Sequence, residues 1–189
     1  MQLLKQRILS DGRVVGQDIL KVDSFLNHQI DIRLFNEMAK EFKEHFKNEK
    51  ITKILTIEAS GIGIACITAQ YFDVPVVFAK KTESRNLDID TYESEVYSYT
   101  RAKTYKIRVS KKYIQPDDHI LIIDDFLAIG KAVLGLLDII QKSGASLAGV
   151  GIVVEKGFQE GGRIIREKGI NLLSLARVKS LEGGKVTFL

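Results

Sequence analysis

Mostly apolar runs of strand length recur along this chain, and the segments between them repeat at helical spacing. The runs are Ile54–Ile57, Val76–Ala79, His119–Asp124, Leu147–Val154 and Leu172–Val178. A strand that is apolar on both faces has no side to give to water, so it belongs inside a sheet covered by helices. Residues 64–72, 130–142 and 159–168 read as the covering helices. Alternating strands and helices predict an α/β fold: a mainly parallel sheet flanked by helices. Upstream, Asp31 reads as a helix N-cap. Behind it, Leu34, Phe35, Met38, Phe42 and Phe46 fall on one helical face, with Glu37, Lys40, Glu41, Lys43 and Glu44 on the other. The Met38 and Phe42 stripe is therefore core. The first ten residues read as a short helix, 13–30 as a loop with short extended pieces, and Val186 to Leu189 as a last strand after Gly183-Gly184.

The length of 189 residues suits a single domain spanning 1–189. No apolar stretch reaches the roughly 18 residues of a membrane span. The segment Met1-Gln2-Leu3-Leu4-Lys5-Gln6-Arg7 lacks a signal peptide's apolar region. Cys66, the single cysteine, cannot form an internal disulfide, so a reducing cytoplasm is expected. Within Ile64-Ala65-Cys66-Ile67 it reads as a small buried hydrophobe. The net charge of +4, from 28 basic and 24 acidic residues, is too mild for a nucleic-acid binder but compatible with a small polyanion. Residues 80–110 are polar and rich in Thr, Ser and Tyr. Their partial alternation at Val96 to Tyr99 reads as an excursion around a hairpin rather than core.

Ligands of such sheets bind beyond the carboxyl ends of the strands, which singles out Glu58–Gly63, Lys80–Glu83 and Asp124–Ala132. In the last, a hydrophobic strand runs into Asp124-Asp125, then a short turn with Gly130, then a helix. Backbone N–H groups at a helix start favour an anion, and Gly130 lets the backbone approach it closely. Paired carboxylates cannot serve a phosphate; they suit hydroxyl donors or a metal. Together the two features fit a sugar phosphate. A phospho-acceptor pocket is the other reading of the acid pair, and the glycine turn directly behind it counts against that. Gly61-Ile62-Gly63 fails as a dinucleotide fingerprint, because Cys66 occupies the third glycine position. His28 and His119 lack partners at metal-ligand spacing. Lys80-Lys81, taken alone, read as solvated, and Arg177 as a structural ion pair.

The segment Ile120 to Ala132 resembles the phosphoribosyl-diphosphate signature of the type I phosphoribosyltransferases. The resemblance covers nearly the whole chain for the xanthine phosphoribosyltransferases. It rests on Val22-Asp23-Ser24-Phe25-Leu26-Asn27-His28-Gln29, on Glu155-Lys156 ahead of Phe158-Gln159, and on Leu175-Ala176-Arg177 with Ser180-Leu181-Glu182. It implies that Asp124 and Asp125 hold the ribose hydroxyls and that Ala128, Ile129, Gly130, Lys131 and Ala132 wrap the 5′-phosphate. The superfamily's usual threonine hydroxyls are absent from that loop, where Ile129 and Ala132 stand. Ser60 in Glu58-Ala59-Ser60-Gly61, with Lys80 and Lys81, is implied to meet the diphosphate, and magnesium to travel with it. Leu20, Asn27, Lys156 and Phe158 would meet the base. Residues 80–110 would be the flexible catalytic loop, and 1–30 with 156–189 a small hood. The implied substrates are xanthine and phosphoribosyl diphosphate, and the implied state is a cytoplasmic homodimer with no nucleic-acid or membrane partner. The alternatives are an adenine enzyme and a non-catalytic sensor of phosphoribosyl diphosphate.

Overall fold

The computed structural model describes residues 1–81, 90–98 and 103–189. A helix α1 (Gln2–Asp11) leads into a small hairpin of β1 (Arg13–Val15) and β2 (Ile19–Lys21). One wide π-type turn, Asp23–Asn27, precedes α2 (Ile32–His45). Then follow β3 (Lys53–Ile57), α3 (Gly61–Phe72), β4 (Val76–Ala79) and the antiparallel hairpin β5 (Thr91–Ser98) with β6 (Lys103–Ser110). The second half runs β7 (His119–Leu127), α4 (Lys131–Ser143), β8 (Ser146–Lys156), α5 (Gly161–Glu167), β9 (Leu172–Ser180) and β10 (Thr187–Phe188).

The central sheet has the order β10-β9-β8-β7-β3-β4. All its pairs are parallel except β10 with β9. The expected mainly parallel sheet is therefore present. The strand period of two sorts β7 between two cores. Leu121 and Ile123 join α1, α2 and α3 on one face, while Ile120 and Ile122 join α4 on the other. α2 buries the predicted stripe of Leu34, Phe35, Met38 and Phe42.

Two expectations need correcting. Cys66 is exposed. α3 buries Ile64, Ala65, Thr68 and Ala69, and at about 100° per residue position 66 falls on the opposite side. The hairpin is also no excursion from the core. Val96, Ile107 and Val109 are buried in the cluster that includes Leu136 and Ile139 of α4. A Cβ on Gly135 of α4 would stand 2.6 Å from Val96 Cγ2, so the missing side chain there is the hairpin's seat. Average polarity hid this, because a hairpin needs only one apolar face. Residues 82–89 and 99–102 of the expected flexible loop lie outside the described residues.

The Asp31 cap ties α2 to the N-terminal segment. Its carboxylate accepts the Leu34 N–H at 3.1 Å and pairs with Arg7 Nη1 at 3.0 Å. The Leu34 N–H chiefly holds its pKa below the ordinary 3.8. Asp31→Ala is expected to cost about 1 kcal/mol at pH 7. A depressed carboxylate stabilises the fold above its unfolded pKa, so the gap to wild type should shrink as pH falls through 3.8 and below. Urea midpoints at pH 7 and pH 3 measure both.

Candidate active site

The strand β7 carries both acids inside the sheet, further along than the sequence placed its end. Asp124 is 4% exposed, and its Oδ1 accepts the backbone N–H of Asp125 at 3.0 Å. The carboxylate fits because α3 starts with a glycine: a Cβ on Gly61 would stand 2.6 Å from Asp124 Oδ1 and 2.3 Å from Thr56 Oγ1. That Thr56 hydroxyl is buried without a partner among the described residues. Burial pushes the pKa of both acids up, and the charge of Asp125 pushes Asp124 further; Lys81 opposes this from a distance. With no cation paired to them among the described residues, the two acids are disposed to accept hydrogen bonds from hydroxyl groups or to face a metal ion.

Beyond Leu127 the chain makes the Ala128–Gly130 turn that leads into α4. Gly130 adopts φ 87° and begins α4 with no side-chain cap, leaving the first helical N–H groups facing outward from Lys131 and Ala132. This turn rests on α5, where the Gly161 N–H donates to the Ala128 carbonyl at 3.0 Å. A Cβ on Gly161 would come within 2.4 Å of that oxygen and 2.7 Å of Gly130 N. Sequence reasoning missed Gly161; the doublet Gly161-Gly162 after an apolar strand was the available signal.

On the other side, Ser60 sits in the turn between β3 and α3, preceded by a cis Glu58–Ala59 peptide. The Glu58 carboxylate accepts the Lys81 backbone N–H, which ties this turn to the end of β4. The two lysines diverge. The Lys81 ammonium lies 5.8 Å from the Tyr105 ring centroid and its field reaches both acids. Lys80 exchanges backbone hydrogen bonds with Arg108 and lines a cleft of about 520 Å³ with Val77, Phe78 and Lys112.

Lys156 ends β8, next to the acid-bearing strand. It is half-buried and its Nζ donates to the Asp18 carbonyl at 2.6 Å, joining β8 to the β1–β2 hairpin. Burial draws its pKa below the ordinary lysine value. Leu20 is buried in β2, Asn27 is exposed at the end of the wide turn, and Phe158 is 41% exposed just past β8. Arg177 does form an ion pair, with Glu155 at 3.3 Å. Among the described residues, no group of three or more His, Cys, Asp or Glu is placed to hold a metal, and no helix is long and apolar enough to cross a membrane.

The family described as the phosphoribosyl transferase domain matches residues 21–165. A xanthine phosphoribosyltransferase of Ruminiclostridium cellulolyticum is 69% identical over 188 residues, covering 100% of this chain and 99% of the relative. One from Clostridioides difficile is 59% identical over the full length of both. The chain belongs to the xanthine phosphoribosyltransferases. The family's type I fold is seen again in an adenine phosphoribosyltransferase of Trypanosoma brucei, with TM-score 0.76 at 18% identity, covering 91% of this chain and 78% of that one. An adenine phosphoribosyltransferase of Rhodothermus marinus gives 0.72 at 21% identity, covering 93% and 98%. At such identities these two speak for the fold alone.

The buried pair makes a stability prediction for this family member. A carboxyl with a raised folded pKa burdens the fold above that pKa, and the burden disappears below the unfolded value near 3.8. Asp124→Asn keeps the acceptor for the Asp125 N–H and removes the charge. One unit of displacement is worth about 1.4 kcal/mol, or roughly 3–6 °C for a chain of this size. The variant should therefore melt higher at pH 7, with the gain vanishing near pH 3.8. Calorimetry at both pH values checks it.

Proposed function

We propose that this protein joins xanthine to 5-phospho-α-D-ribose 1-diphosphate, giving xanthosine 5′-monophosphate and diphosphate. A base nitrogen forms the bond to C1 of the ribose while the C1–O bond breaks, and diphosphate leaves with the electron pair. The observation that carries the reading is the pair of buried Asp124 and half-buried Asp125 running on into the uncapped start of α4. That arrangement offers acceptors for a diol and donors for a phosphate a few residues apart.

Each group has a task. Asp124 and Asp125 accept the ribose hydroxyls, whose donation replaces the solvation these acids lack. N–H groups of Ala128–Ala132, with the Lys131 ammonium, hold the 5′-phosphate without threonine hydroxyls. The Ser60 turn, Lys81 and Lys80 receive the diphosphate, where charge builds as C1–O breaks. Magnesium, when bound with the diphosphate, would neutralise the charge of its oxygens, and Asp124 and Asp125 would be the carboxylates nearest to hold it besides substrate and water. Lys156 and the Asn27 amide donate to the two carbonyl oxygens of xanthine, the Leu20 backbone N–H assists, and the exposed Phe158 ring stacks on the base. Residues 1–30 and 156–189 form the hood over the base. The enzyme works as a cytoplasmic homodimer.

Xanthine ionises more readily than other natural purines, so its nitrogen becomes nucleophilic with less help from a general base. Lysine donates and cannot accept, which favours a base with oxygens over adenine, with its amino group. Lys156→Met is expected to lower kcat/KM for xanthine by roughly 10–150-fold, the value of a hydrogen bond from a charged donor, with a smaller change for adenine. Steady-state kinetics on both bases, with melting temperatures for wild type and variant, test this. Equal losses on the two bases, or wild-type turnover of adenine matching that of xanthine, would overturn the assignment. Replacing Asp124 and Asp125 together by Asn should abolish most turnover while the far-ultraviolet circular dichroism stays unchanged.

A further inference from the structure

Immediately before Lys156, β8 places a second charged side chain facing the other way. Glu155 is 1% exposed. Its Oε1 and Oε2 accept Arg166 Nη1 and Nη2 at 2.8 and 2.6 Å, a bidentate pair from α5. The Ser174 hydroxyl donates to Oε2 at 2.5 Å and Arg177 Nε to Oε1 at 3.3 Å, both from β9. The packing leaves no slack: a Cβ on Gly162 would come within 2.1 Å of Oε1. One carboxylate therefore clamps three elements. Two of its connections lead to the active site. Along β8, the next residue is Lys156, bonded to the Asp18 carbonyl. Along α5, the helix that Arg166 anchors begins at Gly161, which carries the phosphate loop through the Ala128 carbonyl and the close approach to Gly130.

A buried ion cluster is a weak device for stability, since desolvation consumes much of the Coulombic gain. It is a strong device for fixing geometry, because directional bonds hold each partner at one distance and angle. We infer that Glu155 is a positioning residue coupling the two ends of the site, holding Lys156 against the base on one side and, through Arg166 and α5, the Ala128–Gly130 loop against the 5′-phosphate on the other. The inference rests on the proposed function for both of its ends.

The test uses Glu155→Gln and Arg166→Lys in the full chain. The second keeps the charge and one hydrogen bond but loses the bidentate geometry, so it carries the test should the first fail to fold. For each folded variant, KM for xanthine, KM for phosphoribosyl diphosphate and kcat are measured with magnesium. Displacements of the order of an ångström cost up to about 100-fold. We expect both KM values to rise, and kcat/KM to fall by about 10- to 100-fold for each substrate. Wild-type kinetics in a folded variant, even one with a lower melting temperature, would overturn the inference by reducing Glu155 to a structural tie. A loss confined to one substrate would overturn the coupling. Calorimetric affinity for magnesium phosphoribosyl diphosphate, without base, reads the phosphate end independently. Were wild type inactive on xanthine, the function would be overturned, and an affinity unchanged in both variants would then overturn this inference separately.

Discussion

Burying a carboxylate at the end of a central strand costs free energy, and the site is organised around that cost. Asp124 sits between β3 and α3 on one side and the Asp125 backbone on the other, in space that Gly61 leaves open. Among the described residues no adjacent cation neutralises it. The Lys81 ammonium lies far enough away to bias the pair without pairing with it. The acids are thus left under-satisfied in the free protein, and a diol can supply what is missing.

The sheet order turns that local arrangement into a complete site. β7 lies between β3 and β8, and the register pairs Leu127 with Glu155. The Ser60 turn after β3, the acid pair late in β7 with the Gly130 turn behind it, and Lys156 at the end of β8 therefore stand in a row along one edge of the sheet. Parallel strands place all these carboxyl ends together, which an antiparallel sheet of the same sequence order would not do.

Much of this was legible in the sequence, for identifiable reasons. The doubly apolar strands announced a covered parallel sheet, the Asp31 cap and its stripe announced α2, and Gly130 behind Asp124-Asp125 announced the turn into α4. What escaped notice depended on partners distant in the chain. The burial of Val96 and Ile107 needs the notch at Gly135, forty residues or fewer away in sequence but on a different element. Cys66 lay in an apolar string whose helical phase, rather than its composition, decides exposure. The Glu155 cluster draws on Arg166, Ser174 and Arg177, and only folding brings their donors to one carboxylate. Lys80 and Lys81, adjacent in sequence, part company because the backbone of Lys80 is recruited by Arg108.

The contact between Gly130 and Gly161 has a consequence for how such a chain can drift. A Cβ on Gly130 would stand 3.1 Å from Gly161 Cα, and one on Gly161 would stand 2.7 Å from Gly130 N. Neither position can accept a side chain while the other segment keeps its place. A substitution at either must be accompanied by a shift of the whole α5 start, so two glycines some thirty residues apart behave as a single heritable unit.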